Sequence, residues 1–185
     1  MDQPGDIFDL RDVDDGWDYY SQSLLEVVME NKPTRITVHC SDSPDGIDVS
    51  YDTVKSWHIE RGFSDIGYHY LIHPDGGYHS GRPLNVVGAH VEGFNQGNIG
   101  ICLIGRDKFT LAQFKALALI IYNVQLTYDI PDWEVSCHYE YSSAQKQGKT
   151  CPNIKISHLL GWIMLEDINA INSYLMPEKA REGGI

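Results

Sequence analysis

An α/β fold, one mixed β-sheet covered by helices, is what the 185-residue sequence predicts. Three observations lead there. Runs of strand length, rich in β-branched or alternating apolar residues, recur at 36–40, 67–72, 78–82, 98–105 and 134–138. Longer stretches with apolar residues at helical spacing alternate with them, at 17–31, 50–61, 110–126 and 156–175. Two of the strands are joined by Pro74-Asp75-Gly76-Gly77, a turn that builds a hairpin.

Each element has a local reason. Tyr20, Leu24, Val27 and Val28 share one helical face, and Pro33 stops that helix. Ile36-Thr37-Val38-His39-Cys40 alternates as a strand does, and Ser41 to Gly46 is a loop of turn formers. Ser50 caps a helix that runs through Arg61, with Val54 and Trp57 inward and Gly62 in the position after its end. The mostly apolar run 98–105 suits a central strand buried on both faces. Thr110 and Gln113 form a capping box that opens a long apolar helix to about Leu126. A short strand over 134–138 is followed by a polar loop to Cys151-Pro152, then by a last helix over 156–175.

Composition excludes several functions. The net charge is −12, and Asp2, Asp6, Asp9, Asp12, Asp14, Asp15 and Asp18 crowd the start. Such a field repels a phosphate backbone, so nucleic acid is not an expected partner. Apolar stretches are broken well short of bilayer-spanning length, which argues against membrane insertion. The first residues are acidic where a secretory signal is basic and then apolar, so synthesis in the cytoplasm without a cleavable signal is expected. Cys40, Cys102, Cys137 and Cys151 form no CxxC pair, and a chain this long needs no disulfide scaffold, so free thiols are expected, one of them on a metal.

Three positions stand out for chemistry. His39 ends the first strand where a turn-rich loop begins, His138 ends the last strand, and Cys151 lies thirteen residues further on in the following loop. Strand ends and the loops after them are where α/β sheets build sites. Two imidazoles and a thiolate are natural zinc donors and leave a fourth position for water. Taken singly, a strand histidine is more often a hydrogen-bonded core residue, and a lone cysteine a small buried hydrophobe.

A wider pattern narrows the choice. Val38-His39-Cys40-Ser41, the run Trp57-His58-Ile59-Glu60-Arg61-Gly62-Phe63-Ser64-Asp65-Ile66-Gly67-Tyr68-His69-Tyr70-Leu71-Ile72, Gly81-Arg82, Gly88-Ala89-His90, Asn98-Ile99-Gly100-Ile101 and Lys149-Thr150-Cys151-Pro152 stand in one order. Together they resemble the N-acetylmuramoyl-L-alanine amidase type 2 family, over residues 34–175, and most of all its bacteriophage lysozymes. The resemblance implies an amidase-like fold, one zinc per chain held by His39, His138 and Cys151, and Tyr68 and Lys149 as catalytic residues. It places His90 near the substrate groove, as a substrate-binding residue. The implied partner is peptidoglycan and the implied state a monomer. The implied activity is that of an endolysin, stored in the host cytoplasm and released to the wall through a permeabilised membrane. Domain limits are then an acidic arm and helix at 1–33, a catalytic domain at 34–175 and a tail at 176–185. Which group protonates the leaving amine stays open.

The remaining histidines and thiols are expected to be structural. His69 follows Tyr68 and should turn to the other side of its strand, into a structural hydrogen bond. His58, His73 and His79 read as surface or structural. Alternation turns Cys40 and Cys137 away from the side of the sheet that His39 and His138 face. Two rivals accompany the enzyme reading. Family members that recognise peptidoglycan without cutting it lack the metal cysteine, and some phage amidases also bind a phage polymerase.

Overall fold

The computed structural model describes residues 31–156. Its elements are β1 (Arg35–Cys40), α1 (Tyr51–Glu60), β2 (Tyr70–Ile72), β3 (Tyr78–Ser80), β4 (Asn98–Leu103), α2 (Leu111–Tyr128), β5 (Val135–Cys137) and α3 (Ser142–Lys146). Single 3-10 turns cover Asp132–Glu134 and His138–Glu140. The helices expected over 17–31 and 156–175 fall outside the described residues, apart from their inner ends.

The strands form one sheet in the order β3-β2-β4-β1-β5. Pairs β1/β4, β1/β5 and β2/β4 are parallel, and only the β2/β3 hairpin is antiparallel. The sheet is therefore mixed, as expected. The apolar run at 98–105 supplies the middle strand, and all six residues of β4 are buried.

Alternation gives the sheet two different faces. Ile36, Val38 and Cys40 of β1, Ile99, Ile101 and Leu103 of β4, and Cys137 of β5 pack with Phe114, Leu117, Ile121 and Val124 of α2. Leu71, Cys102 and Ile104 pack on the other face with Val54 of α1 and with Ile66. The residues of β1 and β5 left to this second face, Thr37, His39 and Ser136, are polar. They do not join the apolar cluster there: His39 lines the cleft, and Thr37 and Ser136 meet the Tyr141 hydroxyl.

Caps form where the side chains predict them. Ser50 accepts the Thr53 N–H at 3.2 Å, and Gly62 takes a φ of +88°, the left-handed turn a glycine permits. The Thr110–Gln113 box closes in both directions, each bond at 3.0 Å. Gln113 does more than cap: it is buried, and its Nε2 donates to Ile104 O at 2.8 Å and Ile72 O at 3.3 Å, tying α2 to the ends of β4 and β2.

Several boundaries differ from expectation. Strand β2 begins at Tyr70 and not at 67, because the Gly67 N–H goes to His58 Nδ1 (2.7 Å) and its carbonyl to the Ala89 N–H (3.0 Å). The ladder cannot use those groups. Helix α2 runs two residues beyond Leu126, ending at Asp129 in the left-handed conformation (φ +55°). Strand β5 ends at Cys137, so His138 opens a 3-10 turn, and the loop after it contains α3. In α1 the buried pair is Val54 and His58, with Trp57 half-buried.

Candidate metal centre and catalytic cleft

His39 is held by β1, paired there with Cys102 of β4 and one residue past the β1/β5 pairing, and is 1% exposed. His138 follows β5 directly, so parallel pairing of β1 with β5 sets the two imidazoles side by side, with ring centroids 4.5 Å apart. Cys151 arrives from the loop beyond α3. Its Sγ accepts the Cys40 N–H at 3.0 Å and lies 4.0 Å from His39 Nδ1. One donor atom from each of His39, His138 and Cys151 lies within 4.8 Å of the others. Among the described residues, this is the group of histidine, cysteine and acidic side chains placed to share a metal ion.

The donor chemistry suits zinc. Burial, helped by His90 and His138, holds the His39 imidazole well below its usual pKa, which keeps a nitrogen lone pair available. His138 is lowered by burial and then by the nearby Lys149 ammonium. The Cys151 thiol is raised by its hydrogen bond with Cys40 and by burial, so a metal entering here must displace its proton. Cys40 and Cys137 are buried in the core against α2, on the face away from His39. All four cysteines are free.

A cleft of about 740 Å³ opens over this cluster. Trp57 of α1 and Arg61 just after its end line the cleft, together with Glu92, Lys149 and Asn153 from loops. The Tyr68 ring lies 5.2 Å from that of His39 and 5.0 Å from that of His58. Burial drives the Tyr68 phenol well above its usual pKa, so its hydroxyl stays protonated and serves as a donor. Lys149 is exposed at the cleft and anchored by its backbone N–H to Ala144 O (3.0 Å), at the end of α3. His90 faces the cleft as well, but both of its ring nitrogens are engaged within the protein.

Sequence reasoning missed the supports. His58, expected to be surface or structural, is a buried hydrogen-bond acceptor that shapes the turn carrying Tyr68. The Tyr141 hydroxyl meets Thr37 Oγ1 (2.7 Å), Ser136 Oγ (3.2 Å) and Asn98 Nδ2 (3.3 Å), pinning the chain just after His138. The signal was present: Thr37 and Ser136 are polar residues between apolar neighbours in their strands. His69 is structural, accepting the Gly100 N–H at Nδ1 (2.9 Å) and donating from Nε2 to Val86 O (3.0 Å). His73 is buried between Asp48 (2.6 Å) and His79 (2.8 Å) at the hairpin.

A mixed sheet with a His-His-Cys cluster under an open cleft is a frame suited to a metal-dependent hydrolase. The chain belongs to the N-acetylmuramoyl-L-alanine amidase family, whose sequence model matches residues 29–154. Among its relatives, the endolysin of Enterobacteria phage K11 is 29% identical over 140 residues, covering 71% of this chain and 88% of that protein. The endolysin of Escherichia phage T7 is 33% identical over 129 residues, covering 65% and 81%. The solved structure of the endolysin amidase LysCS from Clostridium intestinale superposes with a TM-score of 0.59 at 27% identity, over 67% of this chain and 77% of that one.

Proposed function

We propose that this protein is a zinc-dependent endolysin that hydrolyses the amide between the lactyl group of N-acetylmuramic acid and L-alanine in peptidoglycan. The observation that carries this is the convergence of one donor atom each from His39, His138 and Cys151 within 4.8 Å at the base of the cleft that Tyr68 and Lys149 also line. His39, His138 and Cys151 would hold one zinc ion. When bound, that ion supplies Lewis acidity, polarising an amide carbonyl and making water acidic enough to react near neutral pH.

The other residues act on the substrate. The Lys149 ammonium is a mobile charge for the carbonyl oxygen as it becomes an oxyanion. The Tyr68 hydroxyl, kept protonated by burial, donates a hydrogen bond over the reacting group. His90 contributes to substrate contact through the ring edge it turns to the cleft, since its nitrogens are occupied. The catalytic domain is taken as residues 34–175, acting as a monomer. Synthesis in the host cytoplasm and access to the wall through a permeabilised membrane complete the reading. Among the described residues no helix is long and apolar enough to cross a membrane. The presence of Cys151 favours cutting over recognition alone.

Two measurements test it together. Elemental analysis of protein purified without added metal should find one zinc per chain, with activity lost on chelation and recovered on adding zinc. Mass spectrometry of digested peptidoglycan should find new free L-alanine amino groups and intact glycan strands. New reducing ends without those amino groups would assign a glycosidase instead.

A further inference from the structure

His90 occupies a slot prepared for its ring. A Cβ placed on Gly88 or on Gly100 would come within 2.6 Å of His90 Cδ2, so a side chain at either position would collide with the imidazole. The ring edge of His69 packs against it at 5.8 Å between centroids. Its backbone N–H is held by Asn95 Oδ1 at 2.8 Å. Gly100 is in β4, the strand paired with β1, so the slot is built from the same sheet that holds His39.

The hydrogen bonds around this ring have one direction. His90 Nε2 lies 3.1 Å from the Asn98 carbonyl, which can only accept, so Nε2 carries the proton. In the neutral imidazole Nδ1 is then an acceptor, and it lies 3.0 Å from His39 Nε2. His39 must therefore donate from Nε2, which leaves its Nδ1 without a proton. That is the nitrogen 4.0 Å from Cys151 Sγ.

We propose that His90 is a positioning residue for the metal centre: by accepting the Nε2 proton of His39 it fixes that ring's tautomer and orientation, with the Nδ1 lone pair presented to the ion. The chain of contacts runs from the Asn98 carbonyl through His90 to His39, and its backbone end lies in the sheet. A metal-ligating histidine generally needs such an acceptor on its second nitrogen. The inference rests on the zinc site of the preceding section and adds to it the identity of the group that orients a ligand.

The test is zinc affinity, read by competition with a chromophoric chelator, in the parent, in His90→Leu and in His90→Asn. Removing such an acceptor weakens metal binding by about 10–100-fold, and that loss is expected for His90→Leu. Asn carries an oxygen close to the place of Nδ1, so His90→Asn should recover most of the affinity, which a purely space-filling role would not allow. Ring-nitrogen NMR of the parent protein gives a second reading that needs no variant. His90 and His39 should both be protonated at Nε2 and not at Nδ1. A folded His90→Leu protein that binds zinc as tightly as the parent, or a His90 protonated at Nδ1, would overturn the proposal. A parent that binds no zinc would instead undo the metal site itself.

Discussion

At the scale of single residues, Tyr68 and Lys149 are separable from the three metal donors. Neither belongs to the group of converging His39, His138 and Cys151 donor atoms, and each faces the cleft. Tyr68→Phe and Lys149→Ala should therefore fold and keep zinc while losing wall-lytic activity. Loss of an oxyanion donor typically costs about 100–1,000-fold in turnover, and turbidity loss of purified walls measures it. Activity within a few-fold of the parent would make Tyr68 a packing residue and Lys149 a solvated loop charge. The thiols separate in the same way: Cys151→Ser should lose zinc, because a hydroxyl is a poor donor for this ion. Cys40→Ser and Cys137→Ser should keep it and lose packing, since both side chains lie against α2.

At the scale of elements, the start of α2 is more than a cap. Thr110 satisfies one helix-end N–H, whereas Gln113 is buried and serves three partners: the Thr110 N–H and the carbonyls of Ile104 and Ile72. Removing the first is a capping loss of about 1 kcal/mol. Removing the second leaves the Ile104 carbonyl without its Gln113 donor, at about 1–3 kcal/mol, whereas the Ile72 carbonyl keeps the Ile104 N–H at 2.9 Å. Urea unfolding should rank Gln113→Ala as clearly more destabilising than Thr110→Ala. Equal effects would mean that water reaches the Ile104 carbonyl. The loop between His138 and Cys151 is likewise an organised element. It contains α3, and Gln147 Nε2 donates to Glu92 Oε2 (2.7 Å) at the cleft's edge, joining it to the loop after His90.

At the scale of the whole molecule, buried histidines set the response to acid. Burial, followed by the charges of Arg61 and Arg82, lowers His58 to about 4, and burial lowers His69 to about 4 as well. An unfolded histidine titrates near 6.5. Between those values the unfolded chain binds more protons than the folded one, so stability is full above about pH 6.5 and falls as pH drops toward 4. Each group contributes roughly 3 kcal/mol across that window. Thermal melts from pH 7 to pH 4 should show a steadily falling midpoint, with a shallower fall in His69→Gln. A midpoint flat across that range would mean that neither imidazole is held neutral.

Much of this protein can be read from local chemistry. Alternation along 36–40 determines that His39 and Cys40 face opposite ways, and the run at 98–105 determines a strand buried on both faces. The family resemblance of the Lys149-Thr150-Cys151-Pro152 motif marks Cys151 as a candidate donor that spacing alone could not single out, while the turn residues at 74–77 determine the hairpin. Such features depend on backbone preference and side-chain period, which act between near neighbours. Tertiary structure decided the rest. The parallel pairing of β1 with β5 brings His39 beside His138 across a separation of ninety-nine positions in the numbering. The start of β2 moved to Tyr70 because His58 and Ala89, distant in sequence, take the Gly67 backbone groups. The orientation of His90 depends on space left by two glycines in different segments and on one carbonyl of β4. Those contacts join segments that no local period relates, so only the folded sheet could specify them.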